Sequence, residues 1–163
     1  MKKTTNKKAF DAALSMLGYR SYSETEIRTK LRRKGYEEEK IAEAIDRLIQ
    51  YGYLNDRVLG DEVFEAIKNK GIYGDAYIHR KLAQRGLSSD RHLSRGEEET
   101  AARRILEAKI RVSPEAAGNP KRLAGFLVRR GFPVYLIMDI LTIRPVKKTN
   151  RGKEKYGTFF AQE

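Results

Sequence analysis

The sequence predicts an all-α protein, three tandem three-helix repeats forming an elongated, curved, solenoid-like array. Two observations carry this. Apolar residues recur at helical spacing through most of the chain, as at Ile27 and Leu31 and at Ile41, Ile45, Leu48 and Ile49, a period near 3.6 and not the alternation of a strand. In addition, one helix-ending pattern occurs three times, closing at Gly35, Gly86 and Gly131.

The three endings are alike in detail. Ile27, Ile78 and Leu123 lie eight residues before their glycines, and Leu31, Leu82 and Leu127 lie four before. Lys34, Arg85 and Arg130 precede the glycine, and Tyr36, Leu87 and Phe132 follow it. This is a helix with a two-anchor apolar face, closed by a left-handed turn that glycine enters without steric penalty. The cation in the last turn offsets the helix dipole. The glycines recur at intervals of about 50 residues, enough for one three-helix unit per period, and units this small gain burial by stacking on their neighbours.

Taken in order, a basic N-terminal tail over 1–8 precedes a first helix over 9–19. Ser23 and Glu26 form a capping-box pattern at the start of the helix that ends at Gly35. A third helix over 37–51 completes repeat 1 (9–54). Asn55 caps a long helix running toward Lys70 and closed by Gly71. The helix ending at Gly86 and a further helical pattern over 88–95 complete repeat 2 (55–95). In repeat 3 (96–141) a helix over 97–111 leads to a loop at 113–120, and Pro133 opens the last helix, where its missing N–H is not needed. Residues 142–163 read as a basic flexible tail without apolar period.

Lys and Arg number 34 against 22 Asp and Glu in 163 residues, a formal charge of +12 and a pI of 9.9. Such an excess attracts polyanions. The chain has no cysteine, which excludes disulfides, zinc–thiolate sites and thiol catalysis. The N-terminal segment lacks the apolar core of a signal peptide, and no apolar run approaches membrane-spanning length, so no membrane partner and a cytoplasmic location are expected.

No catalytic, cofactor-binding or metal-binding constellation is expected. There is no phosphate-binding glycine loop. His79 and His92 are the only histidines, and His92 takes the slot that Ile41 and Ile137 fill in the other units. Asp61 and Glu65 share a helix face and would be the residues of a metal-dependent nuclease, but the bland reading is a solvated face. The basic residues are more informative. Arg28, Lys30, Arg32, Arg33 and Lys34 crowd one helix; Arg80, Lys81 and Arg85 recur in the second repeat, and Lys121, Arg122, Arg129 and Arg130 in the third. With the units in register, these form an electropositive stripe that can follow a DNA phosphate backbone or an acidic protein groove without reading bases.

The order and spacing of several elements resemble the RecX family: Ser23-Glu24-Thr25-Glu26-Ile27 leading through Leu31 to Lys34-Gly35, then Gly52-Tyr53-Leu54-Asn55-Asp56, Lys70-Gly71 leading to Leu82 and Gly86, and Arg130-Gly131-Phe132. The likeness spans about residues 9–141. Asn55 stands for a commoner Asp, Val58-Leu59-Gly60 replaces an aromatic–alanine pair, and Ala83-Gln84 thins the second basic helix. The resemblance implies a monomeric regulatory protein, not an enzyme, that binds RecA and the RecA–DNA filament and inhibits or modulates RecA ATPase and strand exchange in recombination and repair. The alternative is a stand-alone helix-turn-helix-like DNA-binding regulator with 37–51 as recognition helix. Glu37-Glu38-Glu39 at its start opposes entry into a DNA groove.

Overall fold

A computed structural model describes residues 6–142; of the tails expected over 1–8 and 142–163, residues 6–8 and Thr142 are instead helical, and the rest lie outside the described residues. Every regular element among them is helical: α1 (Asn6–Leu17), α2 (Glu24–Arg33), α3 (Glu38–Gln50), α4 (Asp56–Lys68), α5 (Asp75–Gln84), α6 (Arg95–Val112), a 3₁₀ turn (Pro114–Gly118), α7 (Pro120–Arg129) and α8 (Val134–Thr142). None of these helices is long and apolar enough to cross a membrane.

The three glycine endings are built identically. Gly35, Gly86 and Gly131 have φ of 83°, 71° and 83°. In each, the residue after the glycine donates its backbone N–H to the carbonyl of the leucine five before itself: Tyr36 to Leu31 at 3.3 Å, Leu87 to Leu82 at 3.0 Å and Phe132 to Leu127 at 3.3 Å. This 6→1 bond satisfies a helix-end carbonyl and folds the following apolar side chain inward. All three leucines are fully buried, each contributing about 1.5–3 kcal/mol of apolar burial.

The chain forms two compact units. Among the described residues, one comprises 6–65 with His79–Arg91; the other comprises Ala66–Ile78 with 92–142. In the first, Ala13, Ile27, Leu31, Ile41, Ile45, Leu48 and Leu54 form a core packed against Phe10, Tyr22 and Tyr36. In the second, Leu106, Leu123, Leu127, Phe132, Leu136, Ile137 and Ile140 belong to a core contributed by α6, α7, α8 and the 3₁₀ turn. The 3₁₀ turn lies where a plain loop is expected, and it buries Ala116 and Ala117.

One helix expectation is overturned. The helix expected over 88–95 is absent: the backbone is irregular from Leu87 until Ser94 caps α6, whose first residue is Arg95. His92, expected to be satisfied or half-buried in the slot of Ile41 and Ile137, is exposed, and its Nδ1 lies 2.8 Å from Asp75 Oδ2. The reason is competition for backbone donors. Ser89 Oγ accepts the Arg91 N–H at 3.2 Å, and Asp75 Oδ1 accepts the Leu93 N–H at 2.8 Å. Side chains thus take amides that helical carbonyls would otherwise bind.

Candidate functional site

The middle helices α2, α5 and α7 carry the predicted cations, and their ends are positioned by one repeated junction. In the first compact unit, Ser23 caps α2 by accepting the Glu26 N–H, and Glu26 returns the bond to the Ser23 N–H. The same Ser23 hydroxyl donates to the carbonyl of Arg85, the residue before Gly86. Asp56, in the first turn of α4, accepts the Glu24 N–H at 3.0 Å. The second unit repeats the arrangement. The Gly74 N–H donates to the Arg130 carbonyl at 2.8 Å, and Glu98, in the first turn of α6, accepts the Asp75 N–H at 2.9 Å. Each carboxylate binds an orphan donor at the start of a helix other than its own. Burial raises the pKa of both Asp56 and Glu98.

Contact across these junctions is close. A Cβ on Gly86 would lie 2.4 Å from Thr25 Oγ1, and one on Gly131 would lie 2.2 Å from the Tyr77 amide nitrogen. Gly35 has nothing described within 4 Å of that position. The glycines at 86 and 131 are therefore required for the approach of a neighbouring helix start as well as for the turn.

Glu26 is the electrostatic centre of the first junction. Burial pushes its carboxyl pKa up, but hydrogen bonds from Arg85, Arg20 and the Ser23 N–H together outweigh burial and hold it at about 2. Arg85 Nη2 lies 3.1 Å from Oε2 and Arg20 Nη2 lies 3.0 Å from Oε1. A folded-state pKa below the unfolded one gives stability that is present above the ordinary carboxylate range and lost as pH falls toward 2. Glu26→Gln is therefore expected to lower Tm at pH 7, by about 1–3 kcal/mol of stability. The deficit relative to the wild type should shrink as pH is lowered from 5 to about 2.5. Paired thermal melts across that range check this; a deficit independent of pH would remove Glu26 ionisation from the junction.

The predicted cations have different surroundings. Arg28 pairs with Glu24 at 2.8 Å, Arg32 pairs with Glu38 at 2.5 Å, and Lys30 lies 5.2 Å from the Tyr22 ring centre. Arg33 and Lys34 are exposed at the end of α2. On α5, Arg80 is exposed and Lys81 Nζ donates to Gln84 Oε1 at 3.1 Å. Arg85 is half-buried on Glu26 and ties α5 to α2. On α7, Lys121, Arg122 and Arg129 are exposed, whereas Arg130 is half-buried over the rings of Phe126 at 4.6 Å and Tyr73 at 5.8 Å. Arg85 and Arg130 therefore have structural roles in the two junctions; Arg28 and Lys81 are also half-buried, and the other cations are exposed.

Lys121 and Arg122 stand apart. They occupy the first turn of α7, which contains no acidic residue. A helix start carries partial positive charge, so cations there oppose the dipole. Those in the last turns of α2 and α7 favour it.

Asp61 and Glu65 both bind Arg91, at 3.5 and 2.7 Å, and Asp61 also accepts the Ser89 hydroxyl. His79 is half-buried, with Nε2 3.1 Å from the Arg91 carbonyl oxygen. A second capping box, Ser94 with Glu97, starts α6 two residues before the expected Glu97. The Ser-x-x-Glu spacing that marks Ser23 and Glu26 is also present there. Glu97 is held at about 2 by the Lys68 ammonium and the Ser94 N–H and hydroxyl.

Comparison with known proteins agrees with this architecture. Residues 9–48 match the family model described as RecX, first three-helix domain. The regulatory protein RecX of Chlorobium phaeobacteroides is 32% identical over 148 residues, covering 86% of this chain and 96% of that protein. The RecX of Trichlorobacter lovleyi is 30% identical over 139 residues, covering 79% and 90%. The crystal structure of RecX from Lactobacillus salivarius has the same fold, with a TM-score of 0.65 at 19% identity over 83% of this chain and 94% of that one. The capped and glycine-closed helices, together with near full-length similarity to these relatives, show that the chain belongs to the RecX family of regulatory proteins.

Proposed function

We propose that this protein binds RecA and its nucleoprotein filament on DNA and inhibits or modulates RecA ATPase and strand exchange, acting in the cytoplasm as a monomer. The reading draws on family membership and on the exposed basic faces. The single observation that carries it is the placement of Lys121 and Arg122 at the positive end of α7. Local helix energetics disfavours them, so a partner with negative charge explains them better than dipole compensation does. Arg33, Lys34 and Arg80 add exposed charge on α2 and α5. Their partner is an acidic filament surface or the DNA phosphate backbone, with many weak contacts giving fast, salt-sensitive association. The action is stoichiometric and steric, with no chemical turnover by this chain. Glu38 and Glu39 in the first turn of α3 argue against α3 as a base-reading helix.

Titration of RecA ATPase on single-stranded DNA tests the proposal. Activity is expected to fall with added protein, and the half-inhibitory concentration to rise between about 50 and 200 mM salt as counterion-linked contacts weaken. Unchanged ATPase at a stoichiometric ratio would remove RecA as the target.

A further inference from the structure

Large apolar side chains are exposed together in one stretch of the first compact unit: Ile49, Tyr51 and Tyr53 are 48%, 58% and 54% exposed. Tyr51 meets Phe10 edge-on at 6.0 Å and Tyr53 at 6.4 Å, and Arg47 lies 4.3 Å from the Phe10 ring centre. Ile49 also lines a groove of about 300 Å³, together with Glu24, Gly52, Leu54, Asn55 and Asp56, and Tyr51 and Tyr53 are the chain neighbours of the lining Gly52. Single exposed apolar residues are ordinary, but a contiguous patch rimmed by polar groups marks an interaction surface.

The groove differs in charge from the rest of the chain. Against a net charge of +12, its ionisable groups are the carboxylates of Glu24 and Asp56. Burial raises the Asp56 pKa, and the charges of Glu24 and Glu26 add to that effect. Glu24 Oε1 already pairs with Arg28 at 2.8 Å, whereas the Asp56 carboxylate accepts the Glu24 backbone N–H and has no ion pair among the described residues, so an added cation would find its partner at Asp56. Nucleic acid is a poor occupant, because phosphate would face carboxylates. A second copy docking by the same surface would set two acidic grooves against each other.

We propose that this groove receives a segment of a partner protein in which a lysine or arginine is flanked by apolar side chains. The cation lies against Asp56, beside the Glu24–Arg28 pair, and the apolar flanks cover Ile49, Tyr51 and Tyr53. Apolar contact supplies the burial, and the Asp56 carboxylate selects the charge. No lysine or arginine lines the groove, and this inference stands whether or not the basic faces bind a RecA filament.

The test is an amide NMR titration of the ¹⁵N-labelled full chain with the blocked peptide Ala-Leu-Lys-Leu-Ala, alongside versions carrying norleucine or glutamate in place of lysine. Saturable shifts are expected at the amides of Ile49, Gly52, Leu54 and Asn55. Affinity should fall about tenfold with norleucine and further with glutamate, as one ion-pair contact is lost or reversed. Asp56→Asn, which keeps an acceptor for the Glu24 N–H, should weaken lysine-peptide binding severalfold, and the surface double variant Ile49→Ser with Tyr53→Ser should abolish it while the rest of the spectrum is preserved. Absence of saturable shifts, equal affinity for all three peptides, or shifts confined to α7 would overturn the proposal. So would self-association of the free chain that disappears in the double variant, which would make a second copy the occupant.

Discussion

Alanine at position 131 is expected to lower Tm by about 10 °C, whereas alanine at position 35 should lower it by only a few degrees. Both glycines have φ of 83°, so both variants incur the left-handed penalty of about 1–2 kcal/mol. The difference is in their surroundings. A methyl group on residue 131 would lie 2.2 Å from the Tyr77 nitrogen and 2.9 Å from its Cα, backbone that cannot rotate away; on residue 35 it meets no described atom within 4 Å. Forcing the α5 start away from the α7 end adds an overpacking cost of about 1–3 kcal/mol. It also strains the bond between the Gly74 N–H and the Arg130 carbonyl. For a chain of this size each kcal/mol corresponds to roughly 2–4 °C. Gly86→Ala should lie between the two, because the conflicting group is the Thr25 side chain, which has other rotamers. Calorimetry on the three single variants checks the ranking. Equal losses at 35 and 131 would mean that only the turn, and not the junction, requires glycine.

The second large effect separates stability from function. Lys121→Glu with Arg122→Glu is expected to raise the half-inhibitory concentration against RecA ATPase by about tenfold or more, equivalent to at least about 1.4 kcal/mol of binding. The same double variant should be as stable as the wild type or more so. It places acidic groups in the first turn of α7, where they favour the dipole by about 0.3–1 kcal/mol each. Damage to folding therefore cannot explain the loss. Lys30→Glu with Lys34→Glu should also weaken inhibition, with a small cost in stability, because these cations sit near the end of α2. Arg85→Glu is unsuitable as a probe, since it would set a carboxylate against Glu26 and break the first junction. Retention of full inhibition by the α7 variant, with helicity unchanged, would exclude that face from the mechanism.

The same division between local and distant interactions governs what could be read from the chain. The glycine-closed helices and the Ser23–Glu26 box are legible because their hydrogen bonds link residues a few positions apart, so the pattern is complete within a short window. The Ser94–Glu97 box has the same local signature, and the three predicted glycines do share one geometry. The non-helical course of 88–95 was not legible. It depends on Asp75, 18 residues before Leu93 in sequence, reaching that amide. Asp56 binding the Glu24 amide across 32 residues is of the same kind.

Composition and local spacing by themselves determined an all-α repeat protein with strong positive charge and identified the helices bearing its cations. Tertiary structure decided what those cations do. It drew Arg85 onto Glu26 and Arg130 onto aromatic rings, left Lys121 and Arg122 exposed at an unfavourable helix end, and lined one groove with Glu24, Asp56 and the exposed Ile49. The physical reason is that helix formation is governed by neighbours within a turn or two. The burial and pairing of a charged side chain are set instead by whichever distant backbone packs beside it.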